Sequence, residues 1–121
     1  MKKRVLITGS TGHMGRAVFD KLIKTGEYDF TLLIRRGKKN LAFVKKYSKI
    51  ALKKDCDLKI VFGNLYDYDA VLSAVEGADY VLHMAAIIPP KSDYDAELTY
   101  KTNFVGTKCL IDAIDELGLN D

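Results

Sequence analysis

The sequence is poor in cysteine, has no tryptophan, and lacks any long apolar run. Its two cysteines, Cys56 and Cys109, lie far apart without a C-x-x-C spacing, which indicates neither a disulfide framework nor a zinc site. A membrane span needs about 18 consecutive apolar residues, and a signal peptide needs more than the three apolar residues that follow the basic start. We therefore expect a cytoplasmic protein with no membrane partner.

Acidic residues are scarce in one part of the chain. Residues 35–59 contain ten Lys and Arg against two Asp, whereas residues 60–121 contain three Lys and Arg against eleven Asp and Glu. Such a basic block can attract nucleic acid, with an affinity that falls steeply with salt. Its lysines, however, recur at helical spacing among five apolar residues: Leu41, Val44, Tyr47, Ala51 and Leu52. This spacing is typical of the solvated outer face of a helix, so we predict no nucleic-acid partner.

What the sequence does contain is a strand pattern that runs into three spaced glycines. Residues 5–7 are an unbroken apolar run that suits a buried parallel strand. Gly9, Gly12 and Gly15 follow, and a helical pattern begins at His13. Gly9 permits a sharp reversal, Gly12 permits close approach of a pyrophosphate, and Gly15 permits close packing of the helix. Because the free amides and the dipole of a helix N-terminus favour phosphate, this stretch predicts a dinucleotide-binding turn.

The rest of the chain alternates helices with short apolar strands. The first helix, His13–Thr25, is expected to face the core with Met14, Val18 and Leu22. The later predicted elements are a strand over 29–34, a helix over 40–54, a strand over 58–62, a short helix after the N-cap Asp67, a strand over 80–84 and a helix over 97–117. This alternation predicts one α/β domain over residues 1–121, a Rossmann-type doubly wound parallel sheet of order 3-2-1-4 that is incomplete at its C-terminal end. Its ligand is expected between strands 1 and 4.

The residues that follow strands 2, 3 and 4 complete the candidate site. Arg35 and Arg36 stand where an NAD-specific site carries an acid, and a guanidinium there can bind a 2′-phosphate through two parallel bonds. We therefore predict NADP as the preferred cofactor and NAD as the alternative, although ordinary solvent-facing arginines would give the same sequence. The other predicted cofactor contacts are Thr11, His13 and Met14 in the turn, Asn64 and Leu65 after strand 3, and Ala85, Ala86 and Ile87 after strand 4. No metal site is predicted, and His83 is interpreted as a packed histidine at a strand end.

Four stretches of the chain resemble, in order, the motifs of the extended short-chain dehydrogenase/reductase family, also called the NAD(P)-dependent epimerase/dehydratase family. Residues 8–15 resemble its T-G-x-x-G-x-x-G, residues 63–67 its G-D-L-x-D, residues 83–86 its H-x-A-A, and residues 102–107 its N-x-x-G-T helix signature. The resemblance implies the N-terminal, coenzyme-binding part of that family, with Thr102 at the cofactor ribose and Asn103 at the sheet–helix junction.

This sequence departs from the family pattern at two positions of the candidate site. Asn64 replaces an acid, although its amide oxygen can still accept a hydrogen bond from the adenine amino group. His13 stands where an aromatic residue is common, and it either stabilises negative charge or fills space beneath the cofactor. Both departures leave the implied site as a dinucleotide site.

The resemblance also implies that the catalytic residues lie elsewhere. The family's Tyr-x-x-x-Lys pair, which acts as general acid and base, follows a fifth strand, and none of the seven tyrosines here has a lysine four residues on. We expect the cofactor-binding portion of an oxidoreductase, epimerase or dehydratase, inactive alone, whose longer parent binds a nucleotide sugar or a small carbonyl or hydroxyl compound.

Two further expectations concern partners and alternatives. The uncovered edge of an incomplete sheet favours self-association into a homo-oligomer. The alternative function is a complete, non-catalytic NADP-sensing or partner-binding module. A Tyr-x-x-x-Lys sequence encoded downstream would favour the enzyme fragment over that module.

Overall fold

A computed structural model describes residues 2–84 and 106–116, in which strands and helices alternate as predicted. The elements are β1 (Lys3–Thr8), α1 (His13–Thr25), β2 (Tyr28–Ile34), α2 (Lys38–Lys53), β3 (Leu58–Phe62), α3 (Tyr68–Val75), β4 (Tyr80–His83) and α4 (Gly106–Glu116). The predicted start of the last helix at residue 97 and its end at residue 117 lie outside the described residues. None of the helices in the described ranges is long and apolar enough to cross a bilayer.

The four strands form one parallel sheet in the order β3-β2-β1-β4, which confirms the predicted topology. In register, Val5 of β1 lies between Phe30 of β2 and Tyr80 of β4, and Thr8 pairs with His83. From β1, the strands β2 and β3 extend the sheet on one side, and β4 extends it on the other. The carboxyl ends of β1 and β4 therefore form the switch point where α/β sheets bind ligands.

Helices cover both faces of the sheet, which makes the fold doubly wound. Val5 and Ile7 pack with α1 and α2 in the first core cluster, whereas Leu6 packs with α3 and α4 in the second. This division follows from the alternation of side chains along a strand. The unbroken apolar run at residues 5–7 is thus buried on both sides, as predicted.

The prediction that Met14 faces the core was wrong. The buried residues of α1 are Gly15, Phe19 and Ile23, while Met14 is 70% exposed. Val18 and Leu22, the other two residues of the predicted stripe, are partly buried beside them. The rotation of α1 follows from Gly15, because its contact with the preceding turn directs residues four and eight positions later inward.

The apolar residues that the sequence groups together in α2 do not all face the core. Phe43, Tyr47 and Ala51 are buried, whereas Leu41 and Leu52 are exposed. Leu41 and Leu52 do not face the core, because the buried residues of the helix recur every four positions from Phe43. The predicted solvated face is confirmed, with exposed side chains at Lys45, Lys46, Lys49 and Lys53.

The predicted end of α1 at Gly26 and the predicted N-cap of α3 at Asp67 are confirmed, whereas α2 begins at Lys38, two residues before its predicted start at residue 40. Gly26 follows α1 in the left-handed conformation with φ 70°, and its N–H donates to the Ile23 carbonyl. The Asp67 side chain caps α3 by accepting a hydrogen bond from the Ala70 N–H. These local signals set where α1 ends and where α3 begins.

Candidate functional site

The glycine turn closes directly onto the start of α1. Gly9 has φ 76°, a conformation that favours glycine, and its carbonyl accepts a hydrogen bond from the Gly12 N–H at 3.1 Å. The Gly12 carbonyl in turn accepts from the Arg16 N–H at 2.8 Å. No side chain caps this helix start, so the first backbone amides of α1 remain available to an anion.

Gly15 is more tightly constrained than Gly12. A Cβ at Gly15 would lie 2.0 Å from the Gly9 carbonyl oxygen, whereas a Cβ at Gly12 would lie 3.3 Å from the same atom. Gly15 was expected to allow packing of the helix against the sheet; the close contact is instead with the turn itself. The glycine turn and the first turn of α1 are therefore packed directly against each other.

The electrostatics of this helix start favour a negatively charged ligand. The first turn of α1 contains no acidic residue, so nothing offsets the partial positive charge of the helix dipole. The predicted contacts Thr11, Gly12, His13 and Met14 are all exposed around it. The structure thus brings together an exposed cradle that fits a phosphate group.

The carboxyl ends of β2 and β3 are joined by a cation–π contact. The Arg36 guanidinium carbon lies 5.0 Å from the centroid of the Phe62 ring, at the end of β3. Arg35 and Arg36 are both exposed, and the Arg35 carbonyl accepts a hydrogen bond from the Asn40 side chain at 2.6 Å. Sequence reasoning missed Phe62, for which the available signal was an aromatic residue ending the strand next to β2.

The turn after β3 is packed against α3. The Gly63 N–H donates to the Ile34 carbonyl at 3.0 Å, and a Cβ at Gly63 would lie 2.4 Å from the Ala70 Cβ. Leu65 is only 7% exposed and packs in the second core cluster. Asn64 is partly buried, which leaves it as the more accessible of the two predicted contacts.

A polar contact joins β1 and β4 at the switch point. Thr8 Oγ1 and His83 Nδ1 are 2.7 Å apart, and Thr8 Oγ1 accepts from the Met84 N–H at 3.1 Å. Burial lowers the pKa of His83 below its ordinary value, which favours the neutral ring. Within the described ranges, no cluster of three or more His, Cys, Asp or Glu could hold a metal ion.

This arrangement predicts a pH-dependent stability. Since the pKa of His83 is lower in the folded chain than in the unfolded chain, the unfolded chain binds the proton first as the pH falls. The free energy of unfolding should therefore decrease as the pH falls below about 6.5. Urea unfolding between pH 7.5 and about 5 measures this decrease, which should be smaller in His83→Gln.

His13→Gln is the matched control, because His13 is the only other histidine in the chain. The decrease should be smaller in His83→Gln than in this variant, because the lowered pKa belongs to His83. Equal pH dependence of His83→Gln and the wild type would contradict the role of His83.

The remaining predicted contacts belong to the part of the chain between β4 and α4. Ala85, Ala86, Ile87 and Thr102 lie outside the described residues, as does Asn103. Sequence reasoning also assigned no role to Ser10, whose side chain is buried within the glycine turn.

Comparisons with known proteins agree with this geometry. A model of the NAD dependent epimerase/dehydratase family matches residues 5–121. Sterol demethylase protein B of Methylococcus capsulatus is 29% identical over 114 residues, which cover 94% of this chain and 31% of that protein. UDP-glucose 4-epimerase of Rickettsia rickettsii is 32% identical over 116 residues, which cover 92% of this chain and 32% of that protein.

A solved structure shows the same fold. A short-chain dehydrogenase/reductase superfamily protein from Agrobacterium tumefaciens, solved with bound NAD, is 26% identical and superimposes with a TM-score of 0.66. The match covers 96% of this chain and 30% of that chain. This chain therefore spans about a third of the length of the relatives it matches.

Proposed function

The chain belongs to the NAD dependent epimerase/dehydratase family, and from this premise we propose that its glycine turn binds the pyrophosphate of a nicotinamide dinucleotide. The observation that carries the proposal is the contact between Gly15 and the Gly9 carbonyl, where a Cβ would lie only 2.0 Å away. This contact holds an uncapped, acid-free helix N-terminus at the end of β1, where backbone amides can bind phosphate. The bound nicotinamide supplies hydride-transfer chemistry.

The chain acts as the cofactor-binding part of a longer enzyme. None of its seven tyrosines is followed by a lysine four residues later, so we assign no catalytic residue to these 121 residues. The matched relatives include a UDP-glucose 4-epimerase and a sterol demethylase protein, which act on different compounds. The proposed substrate class of the longer enzyme is a nucleotide sugar or a small carbonyl or hydroxyl compound.

The end of β2 favours NADP over NAD. Arg35 and Arg36 occupy the place where an acid would bind the ribose hydroxyls of NAD and repel a 2′-phosphate. Arg36 is held over Phe62, whereas Arg35 is exposed with its backbone carbonyl bonded to Asn40. We assign the 2′-phosphate to Arg35 and the edge of the adenine to Arg36. The Agrobacterium relative was solved with bound NAD. We therefore propose NAD as the alternative cofactor of this chain.

Calorimetric titration of NAD⁺ and NADP⁺ tests both parts of the proposal. Arg35→Ala should weaken NADP⁺ binding about tenfold and leave NAD⁺ binding nearly unchanged, because it removes a charge-assisted bond to the 2′-phosphate. Arg36→Ala should weaken both cofactors to a similar degree. Lys39→Ala is the control, since it removes one positive charge from the exposed start of α2.

The outcomes separate the two parts of the proposal. Equal wild-type affinities for NAD⁺ and NADP⁺, unchanged in Arg35→Ala, would contradict the preference for NADP. Failure of the wild-type chain to bind either cofactor at millimolar concentration would contradict the proposed function itself.

A further inference from the structure

The helices on the two sides of the sheet have net charges of opposite sign. On one side, α1 and α2 contain nine Lys and Arg against one acidic residue, whereas α3 and α4 on the other side contain one Lys against four acidic residues. The single acid of the first pair, Asp20, is bonded to Lys24 and to the Tyr47 hydroxyl, each at 2.8 Å. One side of the molecule is therefore strongly positive, and most of its charge belongs to α2, which has six Lys and no acid.

The outer face of α2 combines this charge with exposed apolar side chains. All six lysines of the helix are exposed, and Leu41 and Leu52 are 56% and 84% exposed. Because successive helical residues are about 100° apart, Leu41, Lys45 and Leu52 lie in one row, with Lys49 beside it. At about 1.5 Å per residue, the two leucines are about 16 Å apart along the helix axis. This outer face is thus a long, flat surface on which leucines alternate with ammonium groups.

The composition of this face distinguishes among three kinds of anionic partner. Protein interfaces are enriched in Arg and aromatic residues and depleted in Lys, and single-stranded nucleic acid stacks its bases on aromatic rings. The exposed residues of α2 include neither Arg nor an aromatic residue. Duplex nucleic acid offers phosphates to the lysines but no apolar layer to the leucines. An anionic bilayer offers both, because leucines enter the acyl boundary while the flexible lysines reach the lipid phosphates.

We propose that the outer face of α2, defined by Leu41, Lys45, Lys49 and Leu52, docks the protein onto an anionic phospholipid surface. The expectation of no membrane partner rested on the lack of a spanning run, and a helix that lies flat on a surface needs no such run. In this orientation the negative side of the molecule, with α3 and α4, points away from the lipid. The carboxyl ends of the strands stay at the side of the molecule, so the proposed cofactor site remains open to solution.

Co-sedimentation of the 121-residue chain with lipid vesicles tests this proposal. The chain should bind vesicles that contain about one third phosphatidylserine at least about tenfold more tightly than vesicles of phosphatidylcholine alone, and binding should weaken as salt rises. Lys49→Gln should raise the apparent Kd about fivefold, because it removes one charge at the lipid surface. Leu52→Gln should raise it by about as much, because it removes an apolar side chain that enters the bilayer.

Two variants elsewhere in the chain are matched controls. Lys3→Gln removes one exposed positive charge at the start of β1, so it has the same net charge as Lys49→Gln. Ile111→Gln removes an apolar side chain that is 54% exposed on α4, on the other side of the sheet from α2. Each control should change the apparent Kd for the anionic vesicles by less than about twofold.

Three results would overturn the docking role of α2. These are equal binding to vesicles with and without phosphatidylserine, equal effects of Lys49→Gln and Lys3→Gln, and equal effects of Leu52→Gln and Ile111→Gln. Tighter binding to duplex DNA than to the anionic vesicles at the same salt, unchanged in Leu52→Gln, would identify nucleic acid as the partner instead. Because none of these variants alters the glycine turn, cofactor titrations distinguish a failure of this inference from a failure of the proposed function.

Discussion

Replacing Gly15 by alanine is expected to abolish measurable dinucleotide binding and to destabilise the fold. The added Cβ would lie 2.0 Å from the Gly9 carbonyl oxygen and 2.7 Å from its carbon, both of which are backbone atoms. Relief of that clash requires α1 to move away from the turn, and overpacking of this kind costs about 3 kcal/mol. Because displacement of positioned groups by about 1 Å can cost about 100-fold, the Kd for NAD⁺ should rise at least about 100-fold.

Gly12→Ala is the matched control for this prediction. Its Cβ would lie 3.3 Å from the same carbonyl oxygen, so a shift of a few tenths of an ångström relieves the contact. We expect a loss of about 1 kcal/mol or less in the free energy of unfolding, measured by urea denaturation followed by circular dichroism. Equal stability of Gly15→Ala and the wild type would show that the helix does not depend on this close approach.

The topology of the sheet was predictable from the sequence because its signals are local. The apolar run at residues 5–7, the glycines that end the helices and the N-cap Asp67 each specify an element or its end without knowledge of the rest of the fold. Short connections and right-handed crossovers then restrict how parallel strands can be ordered. Among the orders that these rules allow, β3-β2-β1-β4 is the one that a dinucleotide-binding turn after the first strand predicts, and the structure confirms it.

For the candidate site, the sequence predicted which residues follow each strand but not which of them contact one another. Which side chains meet there depends on contacts between elements, and sequence periodicity does not encode such contacts. The stacking of Arg36 on Phe62 brings together two residues that are 26 positions apart in the sequence. Within the described ranges the buried Ser10 hydroxyl has no hydrogen-bond partner, which is likewise a property of the surrounding packing. A list of polar residues after each strand therefore includes Arg36 and Asn64 but omits Phe62, which is apolar and is itself the last residue of β3.

The rotation of α1 leads to the last prediction, which concerns the core beneath the site. Phe19 is fully buried, with its ring centroid 5.2 Å from that of Phe30 and 4.8 Å from that of Tyr47. Phe19→Ala removes both contacts and leaves a cavity between α1, α2 and β2. We expect it to lower the free energy of unfolding by about 3–5 kcal/mol, as measured by urea denaturation.

Met14→Ala distinguishes the observed rotation of α1 from the one predicted from the sequence. Met14 belongs to the predicted inner stripe but is 70% exposed, so its truncation should change the free energy of unfolding by no more than about 0.5 kcal/mol. A cost for Met14→Ala as large as that for Phe19→Ala would contradict the rotation described above. The same rotation brings Gly15 against Gly9 and Phe19 into the aromatic core. The phosphate cradle thus depends on Phe19 for the stability of α1, although Phe19 lies one turn beyond the residues that would contact the cofactor.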